Sequence, residues 1–427
     1  MENKTQEEAL EALNTDDNFL LTGGAGVGKS YVIKEFANNT NKNIVLTATT
    51  GIAAINLGAE TIHRFLSLGT STRPFEIPKL LNTWEKIKRS STPWDKSRMA
   101  VMRTLDAIVI DEISMLRRDQ FEIIDAVLAS IKDNSLPFGG VQIIASGDFA
   151  QIPPVITDDD LIKYADLKKP YCFESDLWQQ AGFTSLMLTK NFRQSSGKFL
   201  EALGEIRLGK VSDEVNDMLE SRINAKLDTD IKPIKLFSHK YKVDQENIDN
   251  LNQLSNEKIH SHAIFTGKEY DIEALKRDCP AETTLSFCKC AQVMMLTNDP
   301  DGKYANGTMG IIEEVSPVKI RLASGIIVEV EKFTWERNNH KISGNDIVEK
   351  VVSTMTQYPF RLSWATSIHK SQSLTMDYVE MDLSKIWEYG QAYTALSRVK
   401  TLEGLKLTGW NRKVVKANKK VLDFYGY

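Results

Sequence analysis

Short apolar runs alternate with stretches of helical spacing through the first 150 residues. Phe19-Leu20-Leu21 reads as a buried strand, and Tyr31–Phe36 behind it carries a helical pattern. Asn43–Thr47 predicts a second strand, followed by a turn and the small apolar stretch Gly51–Ile55. Ala107–Ile110 predicts another strand. Arg118–Ile131 then places Phe121, Ile124, Val127, Leu128 and Ile131 on one helical face, and Val141–Ala145 reads as strand again. This β-α-β-α order predicts a parallel sheet flanked by helices. Pro153-Pro154 closes the unit, and 156–185 reads as a connector containing Tyr171, Phe173 and Trp178.

Two stretches interrupt the pattern. Residues 64–100 hold Pro74, Pro78 and Pro93, and Arg73, Lys79, Lys86, Lys88, Arg89, Lys96 and Arg98 outnumber Glu76, Glu85 and Asp95, which reads as a small basic insertion at the sheet's edge. A second α/β pattern begins near Leu186, with a helix over Phe199–Leu208 and a strand over Ile234–Ser238. Residues 255–350 instead carry strands such as Ile311–Val315 and Ile326–Val330, with turns at Asp299–Gly302 and Asn306-Gly307, the pattern of a β-rich small barrel. The second α/β pattern returns at Tyr358. The division expected is 1–63 plus 101–183, with 64–100 inserted, and 184–254 plus 356–427, with 255–355 inserted.

Length and composition narrow the class. A chain of 427 residues has room for about three domains. With 26% charged and 42% hydrophobic residues it is an ordinary globular composition. The net charge of −4 gives no global sign of nucleic acid, although a local basic channel needs none. The polar, acidic start is no signal peptide, and no apolar run approaches the ~18 residues of a membrane helix. Four cysteines without a secretion signal point to reduced thiols and a cytoplasmic setting, or a nuclear one in a eukaryote. Cys288-x-Cys290 with Cys279, His260 and His262 lacks the C-x₂-C spacing of a zinc site and reads as alternating strand residues. The basic C-terminal stretch from Arg412 to Lys420 reads as a solvated face.

The chemistry concentrates at strand ends. Gly23, Gly24, Ala25, Gly26, Val27, Gly28, Lys29 and Ser30 form G-x-x-x-x-G-K-S between a predicted strand and a predicted helix. In that context backbone N–H groups cradle phosphates, Lys29 reaches the outer ones and Ser30 binds Mg²⁺. Kinases, GTPases, transporters and mechanical enzymes all use such a loop. Asp111 and Glu112 end the strand Ala107–Ile110. There Asp111 suits Mg²⁺, and Glu112 suits polarisation of an attacking water, which favours ATP hydrolysis over transfer to an acceptor. Gln151, after the next strand, can sense the γ-phosphate. Arg193 and Arg398, from the second α/β pattern, can neutralise charge on it across a cleft. Thr366, His369, Lys370 and Ser371, like Thr49, Thr50 and His63, offer groups that contact phosphates of a nucleic acid strand without reading bases. Phe65 and Trp364 can stack on bases or fill a core. The residues alone leave open an ATP-driven nucleic-acid remodeller that separates no strands, and a small-molecule or polynucleotide kinase.

Taken together, the P-loop, Asp111-Glu112 and the stretches 147–155, 190–194, 366–373 and 390–400 resemble superfamily-1 class B DNA helicases of the Pif/RecD/Dda-like group. Gly139–Gln142, Tyr304–Gly307 and Trp364–Gln372 look most like the Pif branch. The resemblance implies two RecA-like P-loop domains, ATP and Mg²⁺ in the cleft between them, and 5′-to-3′ movement by a monomer on single-stranded DNA and on forked or tailed duplexes. It implies that Gln6 contacts adenine and that Arg193 and Arg398 reach the γ-phosphate. By the same resemblance, Thr49, Thr50, His63 and the stretch from Thr366 to Ser371 touch the strand, 64–100 carries a wedge, and 255–350 is a barrel that holds the strand. Ala150, Ser373 and Ser238-His239-Lys240 depart from the family's usual residues.

Overall fold

The computed structural model describes the chain apart from residues 1, 69–72, 157–168, 192–196, 230, 239, 300, 344–345 and 373. Its first domain is built on seven parallel strands: β1 (Glu2–Lys4), β2 (Phe19–Gly23), β3 (Ile44–Ala48), β4 (Glu60–Thr61), β5 (Ala107–Asp111), β6 (Gln142–Ser146) and β7 (Thr184–Leu188). Their order across the sheet is β1-β7-β2-β6-β5-β3-β4. β2, β5 and β6 are buried along their whole length, which is why they appear in the sequence as continuous apolar runs rather than alternations. Because the strands are parallel, the loops at their C-terminal ends gather on one rim. That rim carries Gly23, Asp111 and Ser146.

β7 moves a predicted boundary. Residues 184–188 were expected to open the second domain, but they pair with both β1 and β2 inside the first sheet. The expected insertion at 64–100 is helical and runs on to Thr104, past its expected end. Its helices Ile77–Arg89 and Pro93–Thr104 bury Leu80, Trp84, Met99 and Met102 in the same core as Phe121 and Val127. Arg98 lies 4.3 Å over the Trp84 ring and donates to Phe65 O at 2.9 Å, which fixes the insertion to the domain beneath it.

The second domain has a four-stranded parallel sheet ordered Ala365–Ser367, Ile234–Phe237, Val379–Leu383, Leu405–Trp410. Between its strands comes the β-rich region. Five antiparallel strands and the pair Ile259–His262/Thr284–Phe287 enclose one core around Phe287, Val293, Ile320 and Phe360. Strand Phe360–Leu362 pairs with Gln292–Met295, so this region extends beyond the boundary expected at 355. A long hairpin, Phe333–Ser343 with Asp346–Gln357, leaves the barrel and lies against helix Pro93–Thr104 of the first domain. Nearby, Arg64 pairs with Asp271 at 3.1 Å and Arg337 with Asp278 at 3.2 Å.

The C-terminal stretch also departs from expectation. It was assigned to the second domain, yet helix Lys419–Tyr425 returns to the first. Its basic residues face solvent, while Val421 and Tyr425 enter the first domain's core and Phe424 stacks on Phe173 with centroids 4.3 Å apart. Among the described residues no helix is long and apolar enough to cross a membrane.

Candidate active site

The nucleotide-type loop leaves β2 at Gly23, whose φ is +140°. A side chain there would collide with the carbonyl oxygen of Leu188 at the end of β7, so the loop can leave this strand only through glycine. Gly28, at φ +86°, starts helix Lys29–Asn39 with its first N–H groups uncapped by any side chain. Lys29 Nζ donates to Gly23 O at 2.9 Å and Gly24 O at 3.1 Å, and Ser30 is exposed beside it. Gln6 Nε2 donates to Val27 O at 3.4 Å. Gln6, Val27, Leu188 and Lys190 line a cavity of about 270 Å³ on the far side of the loop, a size suited to an aromatic base.

Asp111 ends β5 nine-tenths buried and accepts from Ser146 Oγ at 2.8 Å. Burial, then the neighbouring Glu112 carboxylate, pushes its carboxyl up to about 6. Asp111 and Ser30, on the same rim as the phosphate cradle, offer a carboxylate and a hydroxyl that fit Mg²⁺, a hard cation held by one or two protein oxygens plus phosphate. Glu112 has the left-handed φ of +55°, which turns its side chain out of the strand direction.

The second domain closes the site from above. Gly390, at φ +69°, starts helix Gln391–Leu396, and a Cβ there would strike the carbonyl oxygens of Ala150 and Gln151. Gln151 is thereby buried at the junction of the two domains. Arg398 follows the helix and is almost fully buried. It donates to Thr394 O at 2.9 Å, Ser397 Oγ at 2.7 Å and Ser371 O at 3.4 Å. Burial lowers its pKa, while the opposing charge of Glu112 across the cleft raises it. Lys29, Asp111, Glu112, Gln151 and Arg398 therefore converge on one cleft. Arg193 lies outside the described residues, as do its neighbours Phe192 and Gln194, His239 and the departing residue Ser373.

The expected strand contacts divide. Thr49 donates to Glu112 O at 2.8 Å, Thr50 caps the helix Gly51–Leu57, and both stay half-buried. His63 is half-buried beside Gln120 and Arg117, and burial lowers its pKa. His369 is half-buried and Lys370 exposed. Three expectations fail. Phe65 is only 6% exposed, packed in the first core, so it cannot stack on a base. Thr366 is buried with its hydroxyl taken by Arg361 at 3.0 Å, and Ser371 is buried with its hydroxyl turned to Ile368 O at 2.7 Å. Burial claims these hydroxyls because Thr366 lies in a strand of the second sheet and Ser371 in the turn that follows it. Trp364 also belongs to a core, that of the barrel.

Sequence reasoning missed a buried junction. Asp148 is fully buried and accepts two hydrogen bonds from Arg207 of the second domain, at 2.9 and 3.0 Å. Burial alone would raise the Asp148 carboxyl, but the Arg207 charge and hydrogen bonds outweigh it and hold it below the usual range. Tyr425 stacks under Arg207 at 4.7 Å, donates to Asp148 and exchanges a hydrogen bond with Thr22 of β2 at 2.9 Å. Nothing in the local sequence of Arg207 or Tyr425 signals this, since the partners lie 59 and 277 residues from Asp148. Arg207→Met should strand a buried carboxylate at a cost of about 3–5 kcal/mol, read as a lowered denaturant midpoint.

The model of the PIF1-like helicase family matches residues 2–227, more than half of the chain. The chain belongs to the PIF1-like helicase family. Among its relatives, the ATP-dependent DNA helicase Pif1 of Bdellovibrio bacteriovorus is 34% identical over 423 residues, covering 98% of this chain and 90% of that protein. The ATP-dependent DNA helicase PIF1 of Xenopus laevis is 33% identical over 98% of this chain, which spans 63% of the frog protein's length. Of solved structures, Bacteroides sp Pif1 in complex with ADP-AlF4 superposes with a TM-score of 0.87 at 29% identity, covering 98% of this chain and 95% of that one. The two parallel-sheet domains are thus RecA-like.

Proposed function

We propose that this chain is an ATP-dependent DNA helicase that travels 5′ to 3′ on single-stranded DNA and opens forked or tailed duplexes as a monomer. The observation that carries the reading is the position of Arg398. It belongs to the second domain, faces Glu112 of the first, and bonds to the backbone of the 369–371 turn that presents His369 and Lys370. The nucleotide site and the strand-facing turn therefore share one side chain. Closing the cleft on ATP moves Arg398 toward the outer phosphate and pulls the turn with it. The family name shared by the relatives supports the same reading.

Ser30 and Asp111 would hold Mg²⁺, which when bound supplies positive charge to the phosphate oxygens. The chain's own groups do the rest. The P-loop amides and Lys29 orient the triphosphate, and Gln6 with the cavity beside it takes the adenine. Glu112 orients the water and accepts its proton, and Gln151 and Arg398 complete the shell around the outer phosphate, a role the sequence resemblance gives Arg193 as well. Thr50 and His63 on one domain, and His369 and Lys370 on the other, would grip successive backbone phosphates and let go in turn.

The test is unwinding of duplexes bearing a 5′ or a 3′ single-stranded tail. Separation from the 5′ tail alone is expected. Activity confined to the 3′ tail overturns the polarity, and strand-stimulated ATP hydrolysis without separation from either tail overturns the helicase reading in favour of a remodeller.

A further inference from the structure

Tyr393 occupies an unusual place in this cleft. It sits on the second domain's helix Gln391–Leu396, is 3% exposed, and reaches across to the first domain. Its hydroxyl oxygen accepts the N–H of Ala25 at 3.0 Å. Asn191 holds the other face of that residue, donating to Ala25 O at 2.6 Å. The opening turn of the phosphate loop is thus gripped by side chains that come from beyond β7.

A phenol has one proton to donate besides the lone pairs it offers. Among the described residues the Tyr393 proton has no acceptor, although the hydroxyl is buried. A buried donor without an acceptor is costly, so such a group is informative about what it is built to meet. The surroundings identify the acceptor's charge. Lys29 Nζ rests on the carbonyls of Gly23 and Gly24, immediately before Ala25, so this is the side of the loop where a bound nucleotide's outer phosphates lie. Arg398, five residues along the same segment, approaches that side too. Burial and the nearby Asp148 carboxylate keep the phenol protonated, so it is a permanent neutral donor.

We propose that Tyr393 is a nucleotide-state reader, its hydroxyl donating to the outermost phosphate of a bound nucleoside triphosphate while its oxygen stays on Ala25 N–H. This rests on the P-loop being the ATP site. A triphosphate gives the phenol its missing acceptor and fixes the helix, and with it Arg398, against the first domain. A diphosphate ends short of it and leaves only the Ala25 contact. The contact to Ala25 exists with either nucleotide, so the two roles separate experimentally.

The experiment is calorimetric titration of the full chain with Mg²⁺ and either ADP or a non-hydrolysable ATP analogue, in wild type, Tyr393→Phe and Lys29→Ala. Phenylalanine keeps the ring in the core it shares with Ala392 and Leu396. Tyr393→Phe is expected to weaken the triphosphate analogue about tenfold or more, as for loss of a hydrogen bond to a charged group, with ADP within about twofold. Lys29→Ala should weaken both. If Tyr393→Phe changes the two nucleotides equally, or neither, the hydroxyl only braces the loop and the inference fails while the site stands. If Lys29→Ala binds both as wild type does, the site reading fails and takes the inference with it.

Discussion

Lys29→Ala is expected to abolish ATP hydrolysis and strand separation together while leaving the fold intact. The ammonium group now bonds two loop carbonyls at 2.9 and 3.1 Å, contacts within a turn that glycine geometry already imposes. Losing them costs little, because Gly23 and Gly28 hold their conformations without it. A phosphate chain in the cradle, by contrast, loses the loop's own ammonium group. Removing a single donor that stabilises developing charge typically lowers turnover by about 10²–10³-fold, and here initial binding weakens as well. Strand-stimulated phosphate release measured beside thermal unfolding checks this. Turnover within tenfold of wild type would remove the P-loop from the mechanism.

Arg398→Ala should lower kcat by roughly 10³–10⁵-fold, the range for an arginine that neutralises a transferring phosphoryl group. The KM for ATP should move far less, because the charge it meets develops mainly in the transition state. Its position makes lysine a poor substitute. The guanidinium bonds Thr394 O, Ser397 Oγ and Ser371 O through three separate nitrogens, and an ammonium on a shorter stem cannot reproduce that fork. Arg398→Lys is therefore expected to stay within about tenfold of the alanine variant. Single-turnover hydrolysis separates chemistry from binding. Full rescue by lysine would show that only charge matters at this position.

The parts of this site that could be read from the chain are those held by local backbone geometry. A Gly-rich loop between strand and helix, and an acid pair ending an apolar run, carry their own context. The strands β2, β5 and β6 were legible for the same reason, being buried on both faces. What escaped was decided by distant partners. Phe65 and Trp364 look like base-stacking rings until the helices and strands that cover them are known. Thr366 and Ser371 sit in a hydroxyl-rich stretch that reads as a phosphate grip, yet Arg361 and the Ile368 carbonyl claim them. β7 follows a connector and precedes a helix, so nothing nearby shows that it slots between β1 and β2. The Asp148, Arg207 and Tyr425 junction joins three remote segments, and no periodicity can announce it.

Tyr425 has a mechanical consequence. The chain crosses from the first domain to the second just after Leu188 and comes back before Lys419, where Tyr425 and Phe424 pin it beside β2 and the turn at Phe149. A body tethered at two points can swing about the line joining them, but it cannot drift away or spin. Cleft opening is thus confined to something near a single hinge coordinate. A load pulling on the second domain arrives, through the second tether, at the strand that feeds the phosphate loop, so tension along the track bears directly on the seat of the fuel.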